Sequence, residues 1–448
     1  MKLSFIYNTF NQFNRFPDVE VRNIVTDSRI AQQGDVFFAI KGVNFDGHQF
    51  IDDVLSKGVL AVIASDSTVK NDKIILVDDT VKSLGLLASK WRQEINPYVL
   101  GITGSSGKTT VKELTATILK SIYGQDNVLW TQGNLNNHLG VPLTLLKLSA
   151  AHRFAVIEMG MNHFGELSYL TQIVKPNIVL INNILRAHIG CGFKNLEGIA
   201  LAKSEVLQEL DDAGTAVLPK DSPQFEFLLQ QAAGHLVRTF GLESGDIYTT
   251  NIKTEAFFSE CTVHTPIGIE KIHIPLPGVH NISNVLAALA LVTGIPDIQL
   301  IDIINSLSLY QSKPGRLFIS RLNNGSDLID DSYNANPDSM KVALSVLANM
   351  PNQKIFVMGD MGELGANAQV IHQEIGQYAK QIGVDYLLAI GNMSLFAVDG
   401  FGHCAEHYQN KHDLLVRLEK LLCENSSILV KGSRFMRMEE ISQSIRNM

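Results

Sequence analysis

Residues 101–110 read Gly-Ile-Thr-Gly-Ser-Ser-Gly-Lys-Thr-Thr. An apolar run, Tyr98-Val99-Leu100, precedes them, and a helical pattern from Val111 to Leu119 follows. Strand, glycine-rich loop and helix start in that order make a phosphate cradle. Glycines let the backbone curl until its N–H groups point at an anion, and the helix N-terminus adds its dipole. In such a cradle Gly104, Ser105, Ser106 and Gly107 surround phosphate oxygens, Lys108 supplies a point charge, and the Thr109 hydroxyl, beside Thr110, ligates Mg²⁺. The commonest spacing puts the first glycine six positions before the lysine, where this chain has Ile102; its glycines stand at 101, 104 and 107. A glycine-rich turn with a chance Lys-Thr is the bland alternative. The strand before and the helix after favour a nucleoside triphosphate.

The chain has 448 residues, too many for one ordinary core and enough for roughly two to four domains. Apolar residues at 45% and charged residues at 18% describe a soluble globular protein. A net charge of −8 carries no global nucleic-acid footprint. No apolar run reaches the roughly 18 residues of a membrane span. The N-terminus MKLSFIYNTFNQFNRF lacks the basic, apolar and small order of a secretory signal. Cys191, Cys261, Cys404 and Cys423 show no CxxC spacing, which implies reduced thiols in a cytoplasmic protein without a zinc site.

Three α/β segments separate along the chain. Residues 1–95 mix short strand-like runs (Val36 to Ile40, Val59 to Ala64, Lys73 to Val77) with a helix near Val81 to Trp91. Residues 96–312 open with the phosphate loop and continue with buried-strand runs at Phe154 to Ile157 and Ile178 to Ile181, an alternation that predicts a parallel sheet. A β-rich insert is expected from about Val237 to Ile274, then a helix running through Val292. Ser312 to Arg316 reads as a hinge. Residues 313–448 repeat the α/β alternation, Rossmann-like, with strands at Leu328 to Asp330, Lys354 to Met358, Tyr386 to Ile390 and Ser427 to Val430.

Several positions carry chemistry. Glu158 ends a strand in the sheet of the phosphate loop, where a Mg²⁺ ligand belongs, although a surface carboxylate also reads this way. His188 follows another strand, and Asn134, Asn136, Asn137 and His138 cluster after Trp130. Lys203 lies in an amphipathic pattern, where a lysine is ordinarily a solvated face charge. Asn281 and Asn284 sit at a helix start, where Asn281 or Ser283 reads as a plain N-cap and the polar side chains alternatively as partners for a base edge. The loop Asp330-Asp331-Ser332-Tyr333-Asn334-Ala335-Asn336 holds more acid and amide than turn propensity explains. Lys431 and Arg434 close a further strand with two cations.

Together these stretches resemble the Mur ligases, ATP-dependent amide-forming enzymes of peptidoglycan precursor synthesis, over nearly the whole chain. The resemblance rests on Thr103 to Thr109 with its glycine spacing, Gly133 to Asn137, Glu158-Met159-Gly160, His188, Ala202 to Glu205, His280 to Asn284 and Gly315-Arg316. Within the family, Asp331 to Ser339, Val357 to Leu364 and Val430 to Arg434 are similar to the branch that joins D-alanyl-D-alanine to a UDP-N-acetylmuramoyl-tripeptide. Thr26 to Arg29, Gly34 to Gly42 and Asp46 to His48 resemble its uridine-nucleotide-recognition domain. The chain departs from the usual pattern at Ser204, after the key lysine, and around His188, where Arg186 replaces a small residue and an acid is missing.

The resemblance implies a mechanism and its residues. ATP phosphorylates a substrate carboxylate, and an amine then displaces phosphate from the acyl phosphate. Residues 104–110 with Lys108 hold the phosphates, and Asn281, Asn284, Arg316, Asp331 and Asn334 complete the ATP site. Thr109 and Glu158 hold one Mg²⁺; His188 and Lys203, the latter carbamylated, hold a second. Ser28, Arg29, Lys41, Gly42, Asp46, His48, Asn134 and Asn137 recognise the UDP substrate. Asn336, Lys431 and Arg434 are candidates for the dipeptide. Closure about the hinge is required, so an open ligand-free form and a monomer are expected. The alternatives are a sister ligase, a folylpolyglutamate-type ligase, or a nucleotide-driven switch of another class.

Overall fold

The computed structural model describes every residue except Asn44, His188, Ile189, Cys191, Asp212, Cys423 and Glu424. The phosphate-loop strand, Tyr98–Thr103, lies inside a six-stranded sheet. In spatial order its strands are Leu236–Phe240, Thr215–Pro219, Ile178–Ile181, Tyr98–Thr103, Phe154–Glu158 and Val128–Trp130. Every pairing between them is parallel. A parallel sheet needs both faces covered. The helices Lys108–Tyr123, Val279–Val292 and Leu300–Leu307 cover one face, and Gly140–Leu145, Glu166–Val174 and Leu196–Ser204 the other. Chain direction therefore delivers Thr103, Glu158 and Ile181 to the same sheet edge, where ligands bind in open α/β sheets.

The expected β-rich insert is shorter than read. Leu236–Phe240 is an edge strand of the parallel sheet, paired with Thr215–Pro219. The insert is an antiparallel meander of Tyr248–Thr254, Ser259–Thr265 and Gly268–Ile274. Alternation alone does not distinguish a partly exposed edge strand from an antiparallel one. The helix after Pro277 begins at Val279 with Gly278 as its N-cap, so Asn281 lies inside the helix and is not its cap.

The N-terminal sheet orders Ile24–Val25, Val36–Phe38, Ala61–Ala64 and Ile74–Leu76, all parallel. Its helix Thr80–Ile95 starts on Asp79, whose carboxylate accepts from the N–H groups of Val81 and Lys82. The helix then docks on the central sheet's helices. Arg92, buried, donates to the carbonyls of Val174 and Lys175 at 2.9 and 2.7 Å, and so satisfies carbonyls left free at the end of Glu166–Val174.

The C-terminal sheet orders Phe318–Arg321, Asp327–Asp331, Ser427–Lys431, Lys354–Gly359, Tyr386–Ile390 and Ala405–Tyr408. Phe318–Arg321 is antiparallel to its neighbour. The expected central strands are present. The edge strands Phe318–Arg321 and Ala405–Tyr408 and the helices Ser394–Phe401 and Glu439–Arg446 are additions.

Consecutive strand residues face opposite sides of a sheet, and this separates two adjacent acids. Asp330 turns to the C-terminal helix Glu439–Arg446, where its carboxylate accepts from Ser442 Oγ at 3.0 Å and Arg446 Nη2 at 2.6 Å. Asp331 turns to the sheet's carboxyl edge. Asp330 is therefore a structural anchor. Asp330→Ala is expected to lower stability by about 2 kcal/mol, because it strands the hydroxyls of Ser442 and Ser332, both of which donate to this carboxylate, and removes a charged hydrogen bond. Denaturant titration checks this, and an unchanged midpoint would contradict it.

Candidate active site

The phosphate loop needs its glycines for separate reasons. Gly104 and Gly107 have φ of +154° and +74°. A Cβ on Gly107 would stand 2.3 Å from Asn284 Oδ1, and one on Gly104 would stand 2.8 Å from Asn182 Cβ. Gly101 packs against Met159, which a Cβ would meet at 2.8 Å. The unusual spacing thus matches how closely the neighbouring strand ends and the helix Val279–Val292 approach the loop.

The loop's own polar groups are held from outside. Asn183 Oδ1 accepts from Ser106 N at 2.9 Å, and the Asn182 and Asn183 amides donate to Ser106 O at 2.9 and 3.1 Å. Ser105 Oγ accepts from Leu185 N at 3.0 Å. Asn182 Nδ2 also donates to Asn284 Oδ1, and Asn284 Nδ2 to Asn281 Oδ1. Asn281 and Asn284, expected at a base edge, do line the cleft, but their amide groups already bond one another, Asn182 and the Pro277 carbonyl.

Glu158 is buried at its strand end, next to the loop. Thr109 Oγ1 donates to Oε2 at 3.1 Å and Asn136 Nδ2 to Oε1 at 2.8 Å. Lys112, 0% exposed, was not singled out by sequence. Its ammonium lies 3.1 Å from Glu113 and 3.7 Å from Glu158, and donates to Gly133 O at 3.3 Å. Glu113 in turn accepts from Lys313, in the hinge, at 2.7 Å. The signal was present: Lys112 follows Lys108, and Glu113 follows Thr109, by four residues on one helix face.

Lys203 is 2% exposed, unlike the solvated face charge that its helical pattern alone suggests. Burial, with the nearby charge of Lys108, pushes its ammonium well below the usual lysine range. Lys108 is itself lowered by burial, with Glu158 opposing, and it donates to Gly104 O at 2.7 Å. His188 lies outside the described residues. Among the described residues no group of three or more His, Cys, Asp or Glu forms a ready metal cage.

A cleft of about 740 Å³ joins the loop to the C-terminal sheet. Among its lining residues are Lys108, Glu158, Asn134, Asn137, Arg316 and Asn336. Asp331 and Lys431 are register partners on neighbouring strands, and their side chains form a buried ion pair. Lys431 also donates to Asn334 O at 3.0 Å. Its ammonium is thus committed to the loop rather than presented as a free cation. Asn336 caps the helix Pro337–Ala348 through Ser339 N at 2.8 Å, so its side-chain oxygen is engaged too. Arg316 stacks over the Tyr333 ring at 3.8 Å, and Arg434 pairs with Glu439 at 2.7 Å.

The N-terminal residues form a separate cluster. Asp46 accepts from His48 N and lies 2.6 Å from its Nδ1, with Lys41 at 3.9 Å. Gly42 N donates to Phe45 O at 2.7 Å. Arg29 is exposed and paired with Asp27, while Ser28 is buried and its carbonyl accepts from Lys57 at 2.9 Å.

A phosphate loop and a strand-end acid, faced across a hinge by a second α/β sheet, define a class of nucleotide-dependent ligases. Family models match in three consecutive stretches: "Mur ligase family, catalytic domain" at residues 20–95, "Mur ligase middle domain" at 102–292 and "Mur ligase, glutamate ligase domain" at 315–434. The chain belongs to the Mur ligase family. It is 38% identical over 434 residues to the UDP-N-acetylmuramoyl-tripeptide--D-alanyl-D-alanine ligase of Escherichia coli, covering 96% of this chain and 94% of that one. The crystal structure of MurF from Acinetobacter baumannii superposes with a TM-score of 0.93 at 34% identity, covering 99% and 98% of the two chains. MurF ligase from Thermotoga maritima in complex with ADP gives 0.86 at 26% identity, covering 96% and 99%.

Lys112 balances two buried carboxylates, so its removal should be costly. Lys112→Met is expected to lower stability by about 3 kcal/mol, and adding Glu113→Gln should recover part of that loss. A double-mutant cycle by chemical denaturation measures the coupling; strictly additive losses would show that no charge balance exists.

Proposed function

We propose that this chain is an ATP-dependent amide ligase that joins D-alanyl-D-alanine to UDP-N-acetylmuramoyl-tripeptide, releasing ADP and phosphate. The observation that carries this reading is the convergence of the phosphate loop and Glu158 on one cleft with the Asp331–Asn336 loop of a second sheet. The 38% identity to a ligase of that activity over 96% of the chain supports it.

The reaction divides into two displacements. A carboxylate oxygen of the tripeptide attacks the γ-phosphorus of ATP, the bond to the β-phosphate oxygen breaks, and ADP leaves. The dipeptide amine then attacks the acyl carbon, the bond from that carbon to the phosphate oxygen breaks, and the amine's proton passes to solvent. Protein catalysis here is alignment and charge neutralisation. Backbone N–H groups of Gly104 and residues 107–110, with Lys108, hold the β- and γ-phosphates, while those of Ser105 and Ser106 are taken by Asn183. Arg316 adds positive charge from the C-terminal side. Asn281 and Asn284 wall the adenine, and Asp331 and Asn334 reach the nucleotide across the hinge.

Mg²⁺ would draw charge from the transferring phosphoryl group. Thr109 and Glu158 suit a hard cation, because their oxygens already meet at 3.1 Å beside the loop, with phosphate oxygens completing the shell. Lys203 suits carbamylation. Burial beside Lys108 disfavours its ammonium and so favours the free amine that adds to CO₂. The N–C bond forms, one proton leaves, and the resulting anion is stabilised by the same Lys108 charge. With His188 it would hold a second ion.

Ser28, Arg29, Lys41, Gly42, Asp46 and His48 are assigned to the uridine nucleotide, and Asn134 and Asn137 to the muramoyl end. Arg434 and the free amide nitrogen of Asn336 remain for the dipeptide, with Lys431 shaping their loop. Three units, 1–95, 96–312 and 313–448, would work as a cytoplasmic monomer.

Incubation with ATP, Mg²⁺, the UDP-tripeptide and D-alanyl-D-alanine should give the mass of the UDP-pentapeptide, with phosphate release dependent on both acceptor and dipeptide. Phosphate release without either would favour a nucleotide switch. Lys108→Ala should reduce turnover by about a thousandfold.

Lys203→Ala should abolish ligation, and small carboxylates should restore part of it. Because the lysine must be unprotonated to hold CO₂, acid treatment in CO₂-free buffer should inactivate the wild type, and bicarbonate at higher pH should restore it. Full activity of Lys203→Ala would eliminate the carbamate.

A further inference from the structure

We propose that Arg186 is a positioning residue: it clasps Asp338 across the cleft and holds the Asp331–Asn336 loop in place over the phosphate loop. The proposal rests on the ligase reading for its kinetic consequence but not for its geometry. Arg186 is one of the positions at which the chain departs from the usual family pattern, and its contacts cross from the central unit to the C-terminal one.

Three hydrogen bonds converge on one carboxylate. Arg186 N donates to Asp338 Oδ2 at 2.8 Å, while Nε and Nη2 donate to Oδ1 at 3.1 and 2.9 Å. The two side chains are 33% and 23% exposed, so water screens this pair less than it would a fully solvated one. A fork on a carboxylate also fixes direction, which a point charge does not. Asp338 lies in the first turn of the helix Pro337–Ala348, where the helix dipole favours its charge.

The clasp continues on both sides. On the central side, Ser105 of the phosphate loop donates from its backbone N to Asn183 O at 3.1 Å and accepts through Oγ from Leu185 N at 3.0 Å. Leu185 precedes Arg186 directly. On the C-terminal side, Asn336 caps the helix that carries Asp338. Arg186 Nη1 also lies 3.7 Å from Glu374, which accepts from Lys341 at 2.5 Å. Helices Pro337–Ala348 and Ala368–Gln381 therefore receive the clasp as one body. Nearby, Gly190 crosses Gly365 so closely that a Cβ on Gly190 would stand 2.6 Å from Gly365 N.

The other ion pair described across the boundary, Lys313–Glu113, is made by the hinge itself. Arg186 instead grips a helix start beyond the hinge, so its contact breaks when the C-terminal unit swings away. Ser105, Leu185, Arg186, Asp338 and Asn336 then form a continuous path from the phosphate loop to the opposing loop.

Small-angle scattering of the full-length protein, together with steady-state kinetics, tests this. Arg186→Gln should enlarge the radius of gyration of the protein saturated with ADP and Mg²⁺. It should also lower kcat/KM for D-alanyl-D-alanine about tenfold, mainly through KM. Asp338→Asn should do the same, and the double variant should be no worse than either single one. Arg186→Lys should recover only part. About 0.5 M salt should expand the wild type but not Arg186→Gln. Wild-type scattering and salt response in Arg186→Gln, or additive losses in the double variant, would overturn the clasp. If the wild type forms no pentapeptide, the ligase reading fails, and the scattering comparison still decides the clasp.

Discussion

A backbone that turns its N–H groups towards a phosphate must find partners for its carbonyls and give up side chains where neighbours press in. Everything around residues 104–107 answers that constraint. Asn182 and Asn183 take the carbonyl of Ser106, and Ser105 is bonded to the chain leaving the adjacent strand. Asn284 occupies the space a side chain at Gly107 would need. The cradle is therefore a property of three elements at once: its own strand and helix, the exit of Ile178–Ile181, and the first turns of Val279–Val292. Because parallel strands bring these ends to one edge of the sheet, the fold is the condition for the loop's shape.

The second sheet meets the first through the same rule. Its strands Asp327–Asp331 and Ser427–Lys431 are paired in parallel with Asp331 opposite Lys431, so an acid and a base reach the carboxyl edge side by side. Their ion pair then holds the loop that follows, through Asn334 O. One position earlier the pleat reverses the side chain, and Asp330 anchors the terminal helix instead. Two adjacent aspartates thus do unrelated work because the strand period is two.

Much of this was legible in sequence where local pattern decides. The strand, glycine loop and helix of residues 98–123 were readable, as were Glu158 at its strand end and four of the C-terminal strands. Less was legible where tertiary placement decides. Lys203 and Lys112 occupy helical positions where a lysine is usually solvated, and only the packing of other elements buries them. Leu236–Phe240 has the alternation of a half-exposed strand, which does not say which sheet it joins. Asn281 looked like a cap because caps and site amides use the same residue types; its backbone is helical. Arg186 stood out as an exception to the family pattern, but its partner is 152 residues away, beyond the reach of any local rule.

The charges beneath the cradle explain how a carboxylate can be kept buried beside the phosphate loop. A buried carboxylate needs partners, because a charge left uncompensated in the interior is costly. Lys112 stands 3.7 Å from Glu158 and Asn136 donates to it at 2.8 Å, so the buried acid finds its partners within the protein. Lys112 is in turn shared with Glu113, and Glu113 with Lys313 of the hinge. Two cations and two anions leave the group neutral. Since Lys313 lies in the segment between the two sheets, the charge pairing beneath the cradle runs on towards the opposing sheet.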